Sequence, residues 1–278
     1  RAVWDGGPLT STLSPSGGEG SRVRGDVSPD FAAGLHQFLT DCRAGRAAGA
    51  RAVKGQVVGP VTLAWNLRDA SGESVIRRPG MLEWAASIVA AKARWQIREL
   101  REASGKPVVM LVDEPTLAVR RGDLARSPLH TTREAVAGAL SLVAAAIRAE
   151  GATAGLHCCG KTDWTLLLSC GFDLVNLDAY EFFDGVLPHA AAFAEFVRGG
   201  GRIAWGIVPT TPKIHDETAA SLAARWQGQV DQMVGLGVPL VVRVGAASSP
   251  PDVWLTPSCG VGGLPEDWAG KVFQMTQA

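Results

Sequence analysis

Three residues with metal-binding side chains lie in two short segments of the sequence. His157 and Cys159 are separated by one residue, and Cys259 follows much later in a Pro-Ser-Cys-Gly segment. In an extended chain the side chains of residues i and i+2 point to the same side, so His157 and Cys159 share a face while Cys158 points away. One imidazole nitrogen and two thiolates suit zinc. These residues therefore predict a Zn²⁺ site made by His157, Cys159 and Cys259.

A fourth zinc ligand is expected from the end of the next predicted strand. Asp178 ends that strand and is the first candidate, and Glu181 is the rival. A catalytic zinc commonly keeps three protein ligands and one open position, which a displaceable carboxylate can occupy. The alternative for either residue is a helix N-cap or a surface charge. Cys158 and Cys170 are expected to be small buried apolar residues, as unpaired cysteines usually are.

The chemistry expected of such a site is the activation of a thiol. A free thiol has a pKa of about 8.5, so little of it is ionised at neutral pH. Binding to a metal removes its proton. A thiolate held on an electron-rich zinc with two cysteine ligands remains nucleophilic toward an alkyl donor. The site therefore predicts alkyl transfer to sulfur, with a non-catalytic, zinc-stabilised barrel as the alternative.

Strands and helices are predicted to alternate six times along the chain, which favours parallel βα units. The predicted strands are Ala52–Val58, Pro107–Val112, Ala152–Leu156, Asp173–Leu177, Arg202–Val208 and Val253–Thr256, with Val238–Val244 as a further candidate. The second of these is continuously apolar, as expected of a parallel strand covered on both faces. The candidate metal ligands and carboxylates lie at or after the carboxyl ends of the predicted strands. The active site of (β/α)8 barrels lies at these ends.

The predicted fold class is therefore α/β, a (β/α)8 TIM barrel over residues 30–278. The preceding segment, residues 1–29, is rich in Gly, Ser and Pro and is expected to be irregular. Six units are two short of a closed eight-stranded barrel. We therefore expect the first one or two strands to lie upstream of Arg1.

Composition narrows the possible partners. The 27 Lys and Arg balance the 27 Asp and Glu, so the formal net charge of zero does not favour nucleic acid or an anionic membrane surface. No apolar run approaches the roughly 20 residues that a membrane-spanning helix needs, and no secretory leader is evident. The odd number of cysteines favours reduced thiols. We expect a soluble, cytoplasmic protein without nucleic-acid or membrane partners.

Four segments match, in order, the motifs of one enzyme family. They are Lys54–Thr62, similar to K-G-x-x-x-G-P-x-T; Asp113–Leu117, similar to D-E-P-A-L; His157–Cys159, similar to H-x-C; and Pro257–Gly260, similar to P-D-C-G. Over about Lys54–Leu264 the chain thus resembles the catalytic barrel of cobalamin-independent methionine synthases, within the uroporphyrinogen decarboxylase-like superfamily. Any one motif alone would be weak, but the ordered series is specific.

This resemblance implies a set of roles for the candidate residues. His157, Cys159 and Cys259 would be zinc ligands, and Asp178 stands at the place of the family's glutamate ligand. Asp113 would bind the amino group of homocysteine. The implied reaction is methyl transfer to the homocysteine thiol, which forms methionine.

Other candidates complete the expected substrate site. Glu114, next to Asp113, is placed with it among the substrate-binding residues, and Asp113 and Asp178 are the expected catalytic residues. Trp205, just before a strand end, is a candidate for the pocket wall, with a core position as the alternative. The family's G-S-x-P turn, which grips the substrate carboxylate, does not occur before Lys54. Either it lies upstream of Arg1, or the chain does not bind an amino acid in the family's manner.

Two departures from the family bear on the methyl donor. The chain has room for one barrel, whereas full-length synthases carry two and use a methyl-folate. Pro209-Thr210-Thr211 stand where the family has an Asp-x-His that helps to protonate the folate leaving group. Leu156–Asp163 also resembles the L-H-x-C-G-x-T of corrinoid methyltransferases. We therefore expect a methylated corrinoid as donor, either a corrinoid protein or methylcobalamin, with another thiol such as coenzyme M as the alternative acceptor.

Overall fold

The computed structural model describes the backbone of Val3–Trp4 and residues 25–118, 132–240 and 253–278. The strands are β1 (Val3–Trp4), β2 (Val53–Val58), β3 (Arg68–Asp69), β4 (Val108–Asp113), β5 (Thr153–Cys158), β6 (Leu174–Asp178), β7 (Arg202–Val208) and β8 (Val253–Pro257). The helices are α1 (Ala33–Arg43), α2 (Pro60–Asn66), α3 (Met81–Ser104), α4 (Arg133–Ala149), α5 (Trp164–Leu168), α6 (Ala179–Phe182), α7 (Ala190–Arg198), α8 (Ala219–Gly235) and α9 (Glu266–Gln277).

Six of these strands form one all-parallel sheet in the order β2-β4-β5-β6-β7-β8, and β1 pairs in parallel with β3. The predicted α/β class with parallel βα units is therefore confirmed. The closed eight-stranded barrel stays a prediction. The chain divides into two compact units, Arg1–Thr116 with Ser127–Ala154, and Leu117–Arg126 with Gly155–Ala278.

The first unit is built around the packing of α3 against α4. Apolar residues three or four positions apart give α4 one apolar face, and these residues are buried: Val136, Leu140, Val143 and Ile147. The helix begins after Thr132, whose side chain accepts a hydrogen bond from the backbone N–H of Ala135 at 3.1 Å. In the same unit, β4 is buried from Val108 to Val112, which agrees with its unbroken apolar sequence.

The second unit contains α5 to α9 and most of β5 together with β6, β7 and β8. Its core includes two aromatic pairs, Trp164 with Phe193 at 5.7 Å and Phe183 with Trp205 at 5.8 Å between ring centroids. The limits of β7 agree with prediction. β5 ends at Cys158, two residues later than predicted, so His157 lies inside the strand.

Two predicted segments are only partly described. Residues 238–240 are not a strand, and the rest of the candidate strand at Val238–Val244 lies outside the described residues. Of the segment 1–29, the described part contains β1 and an irregular stretch from residue 25. Within the part of the chain that the structure describes, no helix combines the length and apolar character needed to cross a membrane.

Candidate metal centre

The ends of β5 and β8 bring the three predicted ligands together. His157 lies near the end of β5, Cys159 directly follows that strand, and Cys259 comes two residues after β8. The ligand atoms of these three side chains all lie within 4.8 Å of one another. They form the only such group of three or more ligand-type residues found among the described residues, and we call them the ligand group.

The spacing of the ligand group fits a tetrahedral metal ion. A zinc ion bonded at about 2.0–2.3 Å to nitrogen and sulfur separates its ligand atoms by roughly 3.4–3.8 Å. In the structure, Cys259 Sγ lies 3.8 Å from His157 Nε2. Small side-chain adjustments are therefore enough to bring all three atoms onto one ion.

The three side chains of the ligand group differ in their exposure to solvent. His157 is 8% exposed, Cys159 is partly buried, and Cys259 is exposed. The ligand group is therefore open to solvent on the side of Cys259. Cys158 and Cys170 are buried, as predicted for cysteines without a functional role.

The two thiols of the ligand group differ in protonation. Hydrogen bonding from the Cys159 thiol, and then from His157, lowers the pKa of Cys259 to about 4. The same hydrogen bond to Cys259, followed by burial, raises the pKa of Cys159 well above its usual range. Both shifts favour the thiolate on Cys259 and the thiol on Cys159. Binding of a metal ion would displace the proton of Cys159.

Asp178 lies beside the ligand group but acts as a helix cap. It is the last residue of β6, it is buried, and its Oδ1 accepts a hydrogen bond from the backbone N–H of Glu181 at 2.9 Å. Burial is the main cause that raises its pKa to about 6, and the charges of Cys259 and His157 also influence it. The structure therefore gives Asp178 the N-cap role that was the alternative interpretation, and its role as fourth ligand stays a prediction.

Glu181, the rival fourth ligand, is engaged elsewhere. Both of its carboxylate oxygens accept from Lys213 Nζ, at 2.9 and 3.0 Å. Neither Glu181 nor Asp178 belongs to the ligand group found in the described part of the chain. This arrangement favours a site with three firm protein ligands.

Glu114 holds the beginning of α2 in place. Its two carboxylate oxygens accept hydrogen bonds from the backbone N–H groups of Val61 and Thr62, both at 2.9 Å, and from Thr62 Oγ1 at 2.6 Å. It is fully buried, and a Cβ added at Gly59 would lie 2.2 Å from its carboxyl group. These contacts favour a structural role over the predicted substrate contact. Its neighbour Asp113 ends β4 and is partly buried.

Trp205 belongs to the core of the second unit. Its side chain has no solvent exposure, and its Nε1 donates to Gln229 Oε1 at 2.7 Å. Gln229 in turn donates to the backbone carbonyl of Ala179 at 2.7 Å. A residue enclosed in this way packs β7 against α8 and α6, so the structure corrects its predicted placement on the pocket wall to the alternative, a core position.

The sequence-based prediction missed several polar residues near the ligand group. Asn176 in β6 donates to the carbonyl of Ala204 and to Thr256 Oγ1, at 2.9 and 3.0 Å. A polar residue within an otherwise apolar strand was the available signal for it. Ser258 and Thr210 hydrogen-bond to each other next to Cys259. No sequence signal marked that pair, because their segments are far apart in the chain.

Comparison with models of known protein families gives no match to this chain, and comparison with curated proteins gives none either. Support for a function therefore comes from the side chains of the site.

Removal of one ligand tests the metal centre. We expect wild-type protein, purified without added metal, to contain close to one zinc per chain, and Cys259→Ser to lose most of it because a neutral hydroxyl is a poor zinc ligand. Cys158→Ser is the matched control and should keep its zinc, because Cys158 is outside the ligand group. Elemental analysis of folded protein measures both. Equal zinc content in the wild type and Cys259→Ser would contradict the assignment.

A second test concerns the buried carboxyl of Glu114. Burial is the main cause that raises its pKa from 4.5 to about 7. Because the folded protein holds the Glu114 proton more tightly than the unfolded chain, protonation of Glu114 stabilises the folded state. This contribution is complete below about pH 4.5 and is lost as the pH rises through 7. At one pKa unit per 1.36 kcal/mol, wild type should lose about 3 kcal/mol relative to Glu114→Gln between pH 4.5 and 8. Urea unfolding at several pH values measures this, and a difference that does not vary with pH would contradict it.

Proposed function

We propose that this protein is a zinc-dependent methyltransferase that methylates the thiol of homocysteine, with a methylated corrinoid as the donor. The observation that carries the proposal is the ligand group of one imidazole and two thiols at the ends of two parallel strands. The resemblance to methionine synthases at these residues supports the choice of homocysteine. The (β/α)8 barrel of that family is the fold we propose for the full catalytic domain.

The ligand count favours a catalytic over a structural zinc site. Structural zinc sites are usually closed by four protein ligands, whereas catalytic sites hold three and leave a position for water or substrate. Among the residues that the structure describes, three side chains form the group, and the exposed one is Cys259. An incoming thiol would therefore find an open position on the solvent side.

His157, Cys159 and Cys259 would hold the ion, and when bound, zinc supplies a site at which a substrate thiol is kept as its thiolate. The neighbours of Cys259 favour its own thiolate form, which is the form that binds zinc. His157 and Cys159 both stabilise negative charge on Cys259 sulfur, as the low pKa of that thiol indicates. The carboxylate of Asp178 is held by the backbone of α6. If it becomes the fourth ligand it would therefore bind weakly and be displaced by substrate.

The proposed transfer is balanced without a redox partner. The thiolate sulfur donates an electron pair to the methyl carbon, and the bond between that carbon and the corrinoid cobalt breaks. The bonding pair stays on cobalt, so a methyl-cobalt(III) corrinoid becomes a cobalt(I) corrinoid. The thiol proton leaves to solvent. The products are a thioether, which is methionine if the acceptor is homocysteine, and the demethylated corrinoid.

Cobalt substitution combined with a methyl-transfer assay tests the proposal. Cobalt(II) in the site should change its visible spectrum when homocysteine is added, because a third sulfur enters the coordination sphere. Zinc-loaded protein should form methionine from methylcobalamin and homocysteine, and Cys259→Ser should fall to the rate of the uncatalysed reaction. Cys158→Ser should behave as wild type.

The other outcomes separate the alternatives. A spectral change and turnover with coenzyme M but not with homocysteine would keep the chemistry and replace the acceptor. No spectral change with any thiol, together with no turnover, would contradict the enzyme and favour a zinc-stabilised scaffold.

A further inference from the structure

The exposed ligand Cys259 follows the end of β8, which pairs with an irregular stretch of β7. Gly206 of β7 pairs with Thr256, but the next pair is Val208 with Pro257, so β7 advances two residues while β8 advances one. The extra residue, Ile207, belongs to β7, and an extra residue of this kind bends the strand that contains it and interrupts the regular pairing. The chain just before Cys259 is therefore paired with an irregular part of β7.

A close backbone approach fixes this end of β8. A Cβ added at Gly206 would lie 2.4 Å from the carbonyl oxygen of Leu177 and 2.8 Å from Ser258 Cα, closer than side chains can be accommodated. The backbone N–H of Ser258 also donates to the carbonyl of Val208 at 2.8 Å. Glycine at position 206 thus lets the residue before Cys259 lie directly against β7.

A pair of hydroxyl groups completes the attachment. Ser258 Oγ accepts from the backbone N–H of Thr210 at 3.2 Å, and the hydroxyls of the two residues lie 3.2 Å apart, within hydrogen-bonding distance. Ser258 is 2% exposed, although Cys259 beside it is exposed. The buried serine is therefore anchored by the loop after β7, and the cysteine next to it has no comparable burial of its own.

We propose that Thr210 and Ser258 are positioning residues for the metal ligand Cys259. Neither belongs to the ligand group, but their hydrogen bonds fix the backbone from which Cys259 points toward His157. The inference rests on the metal centre proposed above. It assigns to the segment after β7 the task of holding one ligand in place, which the spacing of the ligands alone does not reveal.

Zinc affinity measured by competition with a chromophoric chelator tests the pair. Loss of groups that orient metal ligands typically costs 10–100-fold in affinity, and since this pair acts through the neighbouring residue we expect about tenfold for Ser258→Ala. Thr210→Val should have a smaller effect, because the backbone N–H of residue 210 remains. In the Ser258→Ala background, Thr210→Val should add nothing, since the bond is already lost. Thr210→Ser keeps the hydroxyl and should bind as wild type.

Two further measurements exclude a general loss of structure. Ser169→Ala, an exposed serine in the same unit, is the matched control and should leave the affinity unchanged. In cobalt-substituted Ser258→Ala, the sulfur-to-cobalt charge-transfer absorption should weaken, which a merely less stable fold would not cause.

The possible failures are distinguishable. A wild type that binds no zinc overturns the metal centre and this inference together. A wild type that binds zinc, with Ser258→Ala binding equally well or with the two substitutions acting independently, overturns the positioning pair alone.

Discussion

The site depends on bringing the ends of β5 and β8 together across two intervening strands. Neighbouring strands lie about 4.8 Å apart, so in a flat sheet these two would be separated by roughly 14 Å. Yet His157 Nε2 and Cys259 Sγ are 3.8 Å apart. The regular spacing of the strands alone would leave these two ligands apart, and the fold of the second unit brings them together.

This constraint explains which parts of the site could be predicted from sequence. His157 and Cys159 lie in one segment, and the period of an extended chain is enough to place them on one side. Cys259 could be added only through the expectation that all strand ends meet at one edge and through the resemblance to a known family. All three occur in one ligand group, as predicted. The parallel sheet was also predictable, because alternating strands and helices leave few other arrangements.

The polar residues around the ligand group were less predictable, because their partners are backbone groups that the sequence does not identify. Asp178 and Glu114 both follow or end strands, and both accept hydrogen bonds from the N–H groups at the start of a helix. Such groups have no partner within the helix and attract a carboxylate. Trp205 was ambiguous for a similar reason, since a tryptophan near a strand end packs equally well in a core or on a pocket wall. Its bond to Gln229 decides for the core.

The proposed metal centre is a zinc ion held by two sulfurs and one nitrogen with a position left for a thiol. X-ray absorption at the zinc edge counts these ligands directly. We expect two sulfurs at about 2.3 Å and lighter atoms at about 2.0 Å in the resting protein, and three sulfurs after homocysteine is added. A coordination sphere without sulfur, or one whose sulfur count does not change with the thiol, would contradict it.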